Sequence, residues 1–198
     1  MNVHQTPIGL PAPIILFAGL ALFGLLVTIK GKDRGPQDET GSNRSRLSML
    51  GIAIQIAGFF AVGFGDVTIA YAATSAPALE QAGITLLLVA ITCGLFAASK
   101  RALGRNWSIV ARTRAEHELV TWGPFAYVRH PIYSALFVWM LAMAVAFGHA
   151  WGMILGVPLY WIGTILRIHE EERLLRAQFG ADYEAYATRV KRFVPGII

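Results

Sequence analysis

The residues of this chain that could do chemistry are concentrated in its last third, around two closely spaced apolar segments. Polar and charged side chains are costly beside lipid, so we expect those in this region to form a site. The set comprises Leu119-Val120-Thr121, Gly123-Pro124-Phe125, Arg129-His130-Pro131-Ile132-Tyr133, Glu170-Glu171-Glu172, Phe179-Gly180, Tyr183 and Tyr186.

An arginine and two glutamates have helical spacing in this set. Arg167, Glu170 and Glu171 stand at i, i+3 and i+4, so on a helix they share one face. Glu171 can pair with Arg167 or share a ligand with it, and a guanidinium suits a carboxylate ligand. Glu172 points further round the helix and is interpreted as part of a solvated face. Glu170 fits a solvated face or a site equally well.

A second candidate site lies at a predicted helix start. Pro131 is interpreted as the first helical residue, because proline is preorganised there and its missing N–H would have no partner. His130 then occupies the N-cap, beside backbone N–H groups that can hold an anion. Taken alone, Arg129-His130-Pro131 also fits a basic segment followed by a helix start.

Metal and thiol chemistry is not predicted. The single cysteine, Cys93, lies in an apolar segment without an ionisable neighbour, so we interpret it as a packing residue. His149 is expected to have no catalytic role. The histidines form no HExxH or Cys/His cluster; they are His4, His117, His130, His149 and His169.

The composition is typical of a polytopic membrane protein. Hydrophobic residues make up 55% of the 198 residues and charged residues only 15%, and the mean hydropathy is +0.53. A span takes roughly 20 mostly apolar residues. The fourth and fifth candidates are close enough to form a helical hairpin that need not cross fully as two spans. The candidate spans are 11–29, 47–64, 82–98, 132–147 and 151–168.

The basic residues predict the orientation. All 17 Lys and Arg residues fall within 30–46, 100–129 and 167–192, which alternate along the chain with segments that contain none. This alternation places the N-terminus outside and the C-terminus in the cytosol. The charge is divided among three membrane-adjacent segments, so nucleic acid is not an expected partner, whereas anionic membrane lipid is.

The predicted fold is all-α: a polytopic membrane bundle of about five helices with a cytosolic cofactor site and a C-terminal interfacial helix. Residues 1–99 are interpreted as a transmembrane scaffold, in which Gln55 is almost the only polar side chain of the first two spans. Residues 100–198 are interpreted as the catalytic region. The last helix is expected to continue to Gly180, with Tyr183 and Tyr186 as interfacial anchors.

The ordered motifs resemble the isoprenylcysteine carboxyl methyltransferase family, small integral membrane enzymes that use S-adenosylmethionine and are related to phospholipid N-methyltransferases. Two positions depart from the family pattern. Phe125 stands where tyrosine is common, and Ala135 stands where a glycine often follows the Arg-His-Pro-x-Tyr run. The resemblance runs from about Leu103 to Pro195 and includes Leu103-Gly104-Arg105-Asn106-Trp107-Ser108, His117 to Thr121, Gly123 to Phe125, Arg129 to Tyr133, Arg167 to Glu172, Phe179-Gly180 with Tyr183 and Tyr186, and Arg189 to Pro195.

The resemblance implies roles for named residues. Arg167 and Glu171 would be catalytic, with Arg167 facing the methyl acceptor and holding its carboxylate. Glu171 would bind the polar or cationic part of the cofactor, and His130 would hold its carboxylate with the helix-start N–H groups. The implied cofactor site is lined by His117, Glu118, Leu119, Val120, Phe125, His130, Pro131, Ile132, Tyr133 and Glu171.

The expected function is S-adenosylmethionine-dependent O-methylation of a carboxylate on a lipophilic or prenylated acceptor that enters from the membrane. N-methylation of an amine or phospholipid and S-methylation of a thiol are open alternatives, because the cofactor half of the site would look the same. An NADPH-dependent membrane reductase and a non-enzymatic membrane adaptor are the alternatives from other classes.

Overall fold

The structure of the protein is a computed structural model that describes residues 6–29, 45–104, 118–194 and 196. Its main elements are five α-helices, with a short 3-10 helix at Gly123–Ala126 before the fourth. The predicted all-α class and the five apolar segments are confirmed. The helices are α1 Pro11–Thr28, α2 Arg46–Gly63, α3 Ala76–Leu103, α4 Pro131–Phe147 and α5 Gly152–Arg189.

Four of these helices, α1, α2, α3 and α5, are long and apolar enough to cross a membrane. The remaining helix, α4, is apolar but has only 17 residues. The protein is therefore an integral membrane protein. Helix α3 begins at Ala76, before the apolar span predicted from residue 82, with a proline in its first turn. The side chain of Gln81 is used within the fold. Its amide accepts from the Gly9 N–H at 3.1 Å and donates to the Pro7 carbonyl at 2.9 Å.

One end of the bundle is closed by contacts that the sequence did not predict. Two short strands, β1 Ile8–Gly9 and β2 Ile69–Tyr71, pair in parallel. The two ring nitrogens of His149, in the turn between α4 and α5, lie 2.9 Å from the Val62 carbonyl and 3.0 Å from the Asp66 carbonyl. Strands of two and three residues are too short to show an alternation of hydrophobic and polar residues, so the sequence did not predict this sheet.

Glycines allow α2 and α5 to pack at close range. Although α4 and α5 are consecutive, α5 packs most extensively against α2, and α4 against α3. A Cβ on Gly163 of α5 would lie 2.5 Å from the Gly51 carbonyl of α2, and a Cβ on Gly58 would lie 2.9 Å from the Gly156 carbonyl. Small residues let helix backbones approach within a membrane. The contact brings side chains of α2 to the polar part of α5.

Gly180 interrupts α5 as predicted, but the helix resumes. The residue has φ 47° and ψ −119°, and the following turn continues as helix to Arg189. Tyr183 and Tyr186 in this part are buried, so the prediction that they are interfacial anchors was wrong. The reason is that the segment folds back: the Tyr186 hydroxyl donates to the Phe125 carbonyl at 2.7 Å.

Candidate active site

The start of α4 meets α5 beyond its apolar part, and the candidate site lies there. His130 is the N-cap of α4 and Pro131 its first residue, as predicted. The C-terminal segment lies alongside: the Arg129 N–H donates to the Lys191 carbonyl at 2.7 Å, and the His130 N–H donates to the Arg192 carbonyl at 3.0 Å. The segment that contains Lys191 and Arg192 therefore packs against the start of α4.

Glu171 is held from three directions. The Tyr133 hydroxyl donates to its Oε1, His130 Nδ1 lies 3.7 Å from its Oε2, and Arg167 Nη2 lies 4.0 Å from Oε1. Tyr133 and His130 are buried, whereas the Glu171 side chain is 27% exposed. The carboxylate is thus oriented by buried groups and keeps an open side that could receive a cationic ligand group.

Arg167 is placed by contacts from two other helices. Its guanidinium carbon lies 5.0 Å from the centre of the Tyr133 ring on α4, within cation–π distance. Its Nη1 donates to the Gln55 side-chain oxygen on α2 at 2.9 Å. Residues 1–99 therefore contribute directly to the environment of the candidate site. The signal in the sequence is a polar side chain inside an apolar span.

Glu172 is buried at the centre of a charged cluster, so its interpretation as part of a solvated face was wrong. Its side chain is 1% exposed. Its oxygens lie 3.2 Å from Arg129 Nη2, 3.3 Å from His130 Nε2, 2.7 Å from Arg192 Nη2 and 3.4 Å from Arg176 Nη2. The helix face on which Glu172 lies would be solvated if the chain ended with α5. Instead, the C-terminal segment folds over it.

The charge on Glu172 is maintained by its partners. This residue lies past Ile168, outside the apolar part of α5. Burial by itself would raise its pKa, but the hydrogen bonds from Arg192 and His130 outweigh this effect and hold the pKa of the carboxyl well below its usual range. Ionised Glu172 therefore joins the start of α4, the polar part of α5 and the C-terminal segment.

Glu170 belongs to a separate ion pair. Its carboxylate is bound by Arg173, with Nε at 2.8 Å and Nη2 at 3.0 Å from its two oxygens. The hydrogen bond from Arg173 lowers the pKa of Glu170 despite partial burial. This local pairing accounts for the carboxylate of Glu170, whereas the carboxylate of Glu171 faces Arg167.

The other residues predicted for the cofactor site lie before or at the start of α4. Phe125 is buried in the 3-10 helix, and this helix packs against α3. The structure brings together His130, Tyr133, Arg167 and Glu171. His117 lies outside the described residues. Of the others, Glu118 is exposed, Leu119, Val120 and Ile132 are half-buried, and Pro131 is buried.

This arrangement can bind a ligand that has groups of both charges. Glu171 offers a carboxylate, and Arg167 a guanidinium with an 11% exposed side chain. The N-terminus of α4 offers backbone N–H groups that can hold an anion. Within the described part of the chain, no group of three or more His, Cys, Asp or Glu side chains is arranged to hold a metal ion.

Part of the chain is similar to a known family of proteins. Residues 83–177 match the model of the isoprenylcysteine carboxyl methyltransferase family. The protein-S-isoprenylcysteine O-methyltransferase of Schizosaccharomyces pombe is 34% identical over 94 residues, which cover 46% of this chain and 40% of that protein. Protein-S-isoprenylcysteine O-methyltransferase B of Arabidopsis thaliana is also 34% identical over 94 residues, covering 46% and 48%. The aligned part thus spans less than half of either relative.

A solved structure is similar over a longer range. The structure of the eukaryotic intramembrane Ras methyltransferase ICMT matches with a TM-score of 0.56, covering 94% of this chain and 68% of the other, at 20% sequence identity. At this identity the likeness shows the fold. It also extends to the N-terminal helices, where the sequence motifs gave no signal, and the resemblance inferred from those motifs is confirmed for residues 83–177.

Proposed function

We propose that the chain belongs to the isoprenylcysteine carboxyl methyltransferase family, whose model residues 83–177 match, and that it is an S-adenosylmethionine-dependent membrane methyltransferase. The proposed reaction is O-methylation of a carboxylate on a lipophilic or isoprenylated acceptor. The observation that carries the proposal is the pairing of Arg167 with Glu171, which Tyr133 and His130 orient inside the matched segment.

The chemistry of the donor set fits the proposed cofactor. When bound, S-adenosylmethionine supplies an electrophilic methyl group on a sulfonium. The open side of Glu171 suits the cationic part of such a molecule, and the N–H groups of Ile132 and Tyr133 at the first turn of α4 suit its carboxylate. His130 contacts Glu171 and Glu172, so it keeps both carboxylates oriented. The proposed lining is completed by His117, Glu118, Leu119, Val120, Phe125 and Pro131.

Arg167 is proposed to bind the carboxylate of the acceptor. Its planar fork can donate two parallel hydrogen bonds to such a group. A carboxylate is ionised at neutral pH, so no general base is required. What the chain must supply is alignment of the acceptor in a site from which water is excluded. The packing of α2, α4 and α5 around Arg167 provides that setting.

We further propose how the chain is oriented in the membrane and which part of it forms the catalytic region. The positive-inside pattern places the N-terminus outside, and the active site and C-terminus in the cytosol. Residues 1–99 act mainly as scaffold and residues 100–198 as the catalytic region, with Gln55 as the contribution of α2. A prenylated protein or a smaller lipophilic carboxylate, reached from the bilayer, is the proposed partner.

The test is methyl transfer by the full chain in lipid nanodiscs. S-adenosylmethionine is supplied with N-acetyl-S-farnesylcysteine, and the methyl ester is measured by mass spectrometry. The wild type should form the ester, Arg167→Met should lose at least about 90% of the rate, and Arg173→Met, at a side chain that is 60% exposed, should retain it. If the folded wild type methylates phosphatidylethanolamine or a lipophilic thiol but not this acid, the carboxylate proposal is wrong. Oxidation of NADPH without methyl transfer would favour the reductase alternative.

A further inference from the structure

Gln55 is a buried amide in the middle of an apolar helix. It lies on α2, is 4% exposed, and faces α5 across the close contact at Gly163, where a Cβ would meet the Gln55 Cγ at 2.8 Å. An amide without partners would be costly at such a depth. The hydrogen bonds that Gln55 makes therefore indicate why a polar side chain is present at this buried position.

Both ends of the amide are used, and their orientation follows from the chemistry of the partners. Arg167 has only donors, so its Nη1 must face the Gln55 oxygen, which it meets at 2.9 Å. The Gln55 Nε2 then donates to the Thr164 hydroxyl oxygen at 2.7 Å. Thr164 thus fixes the amide in the orientation that accepts from Arg167.

A further hydrogen bond connects α5 to α4 beside the candidate site. The Tyr160 hydroxyl, on the same helix as Thr164, donates to the backbone carbonyl of Tyr133. The side chain of Tyr133 donates to Glu171, which also faces Arg167 at 4.0 Å. These contacts join α2, α4 and α5 around Arg167, so a change at Gln55 acts first on Arg167.

We propose that Gln55 is a positioning residue that aims the Arg167 guanidinium at the carboxylate of the acceptor. This inference rests on the proposed function. A neutral amide holds the guanidinium without cancelling its charge, whereas a carboxylate at the same position would compete with an anionic acceptor. Gln55 touches neither substrate, and its effect is transmitted through Arg167.

The test compares two variants of Gln55 with a matched control. Gln55→Met keeps the approximate volume and removes both hydrogen bonds, and Gln55→Glu keeps an acceptor for Arg167 but adds charge. Ser48→Ala is the control: Ser48 is also fully buried on α2, and in the part of the chain that the structure describes its hydroxyl has no hydrogen-bond partner. For each protein in nanodiscs, the KM for N-acetyl-S-farnesylcysteine and the Kd for S-adenosylhomocysteine are measured.

If Gln55 positions Arg167, its loss should change the acceptor KM and leave the Kd for S-adenosylhomocysteine nearly unchanged. Both Gln55 variants should raise the acceptor KM about tenfold or more. Gln55→Met removes a hydrogen bond to the charged guanidinium, and Gln55→Glu offsets the charge that would bind the acceptor. Their Kd for S-adenosylhomocysteine should stay within about twofold of wild type, and Ser48→Ala should change neither constant by more than about twofold.

Other results would overturn the inference. If both Gln55 variants match Ser48→Ala while the wild type methylates, Gln55 does not position Arg167 and the proposed function stands. If KM and Kd worsen together by the same factor, Gln55 serves packing only. If the folded wild type methylates no carboxylate acceptor, the proposed function fails and this inference fails with it.

Discussion

The hydroxyl of Tyr133, in the first turn of α4, donates a hydrogen bond to the Glu171 carboxylate on α5. The tyrosine is 4% exposed, so the bond forms where water does not compete freely. It links the motif at the start of α4 to the glutamates of α5, which are nearly 40 residues away in the sequence. Glu171 is thereby oriented before any ligand arrives.

Tyr133→Phe should weaken binding of S-adenosylhomocysteine while preserving the fold. The substitution removes one hydrogen bond to a charged group, a loss of about 1.5–3 kcal/mol or roughly 10- to 100-fold in Kd. Calorimetry in nanodiscs measures the change. Tyr127→Phe is the matched control, because Tyr127 is 70% exposed. Equal affinities for the two variants would show that the Tyr133 hydroxyl does not support the cofactor site.

Glu172→Gln should destabilise the protein more than any other single glutamate-to-glutamine change in the described part of α5. It leaves the buried guanidinium of Arg129 and the buried ring of His130 without their carboxylate partner, a type of loss that costs about 3–5 kcal/mol. Thermal unfolding in detergent checks this prediction. Glu184→Gln, at a side chain that is 56% exposed, should shift the midpoint little. A small shift for both would contradict the central role of Glu172.

Gly163→Ala should separate α2 from α5. The added methyl group would meet the Gly51 carbonyl at 2.5 Å, and we expect a loss of about 1–3 kcal/mol together with weaker use of the acceptor. Gly94→Ala on α3 is the control, since its added Cβ would meet no described atom within 4 Å apart from its own helix backbone, and alanine favours the helix. Equal melting temperatures for these two variants would refute the close contact.

The dependence of rate on pH distinguishes the acceptor classes. A carboxylate is already ionised, so with saturating donor the rate should be nearly flat above pH ~6. An amine acceptor would give a rate that rises toward its own pKa. The measurement is a rate profile from pH 6 to ~9 with each acceptor at a fixed fraction of its KM. A steep rise with N-acetyl-S-farnesylcysteine would contradict binding of a preformed carboxylate.

The sequence predicted those features that depend on neighbours along the chain. Pro131 and His130 identified the start of α4 through local capping preferences, and Arg167 and Glu171 were placed on one face by helical spacing alone. The apolar runs predicted the helices, because membrane thickness sets their length.

Features that depend on packing between distant segments were not predicted. Gln55 and Arg167 are separated by 112 positions, and their contact follows from the glycine packing of α2 on α5. Glu172 looked solvated because helical geometry gives no information on where residues after Gly180 fold back. Tyr183 and Tyr186 are buried for the same reason, because the segment after Gly180 folds back.

The most direct test of the central claim is calorimetric binding of S-adenosylhomocysteine to the full chain in nanodiscs, with His130→Ala and Glu171→Gln measured beside the wild type and Glu184→Gln as the exposed control. We predict saturable binding by the wild type and the control, and binding at least about tenfold weaker for the two site variants. No binding by a well-folded wild type, or binding that neither site variant weakens, would contradict the assignment of the cofactor site to the junction of α4 and α5.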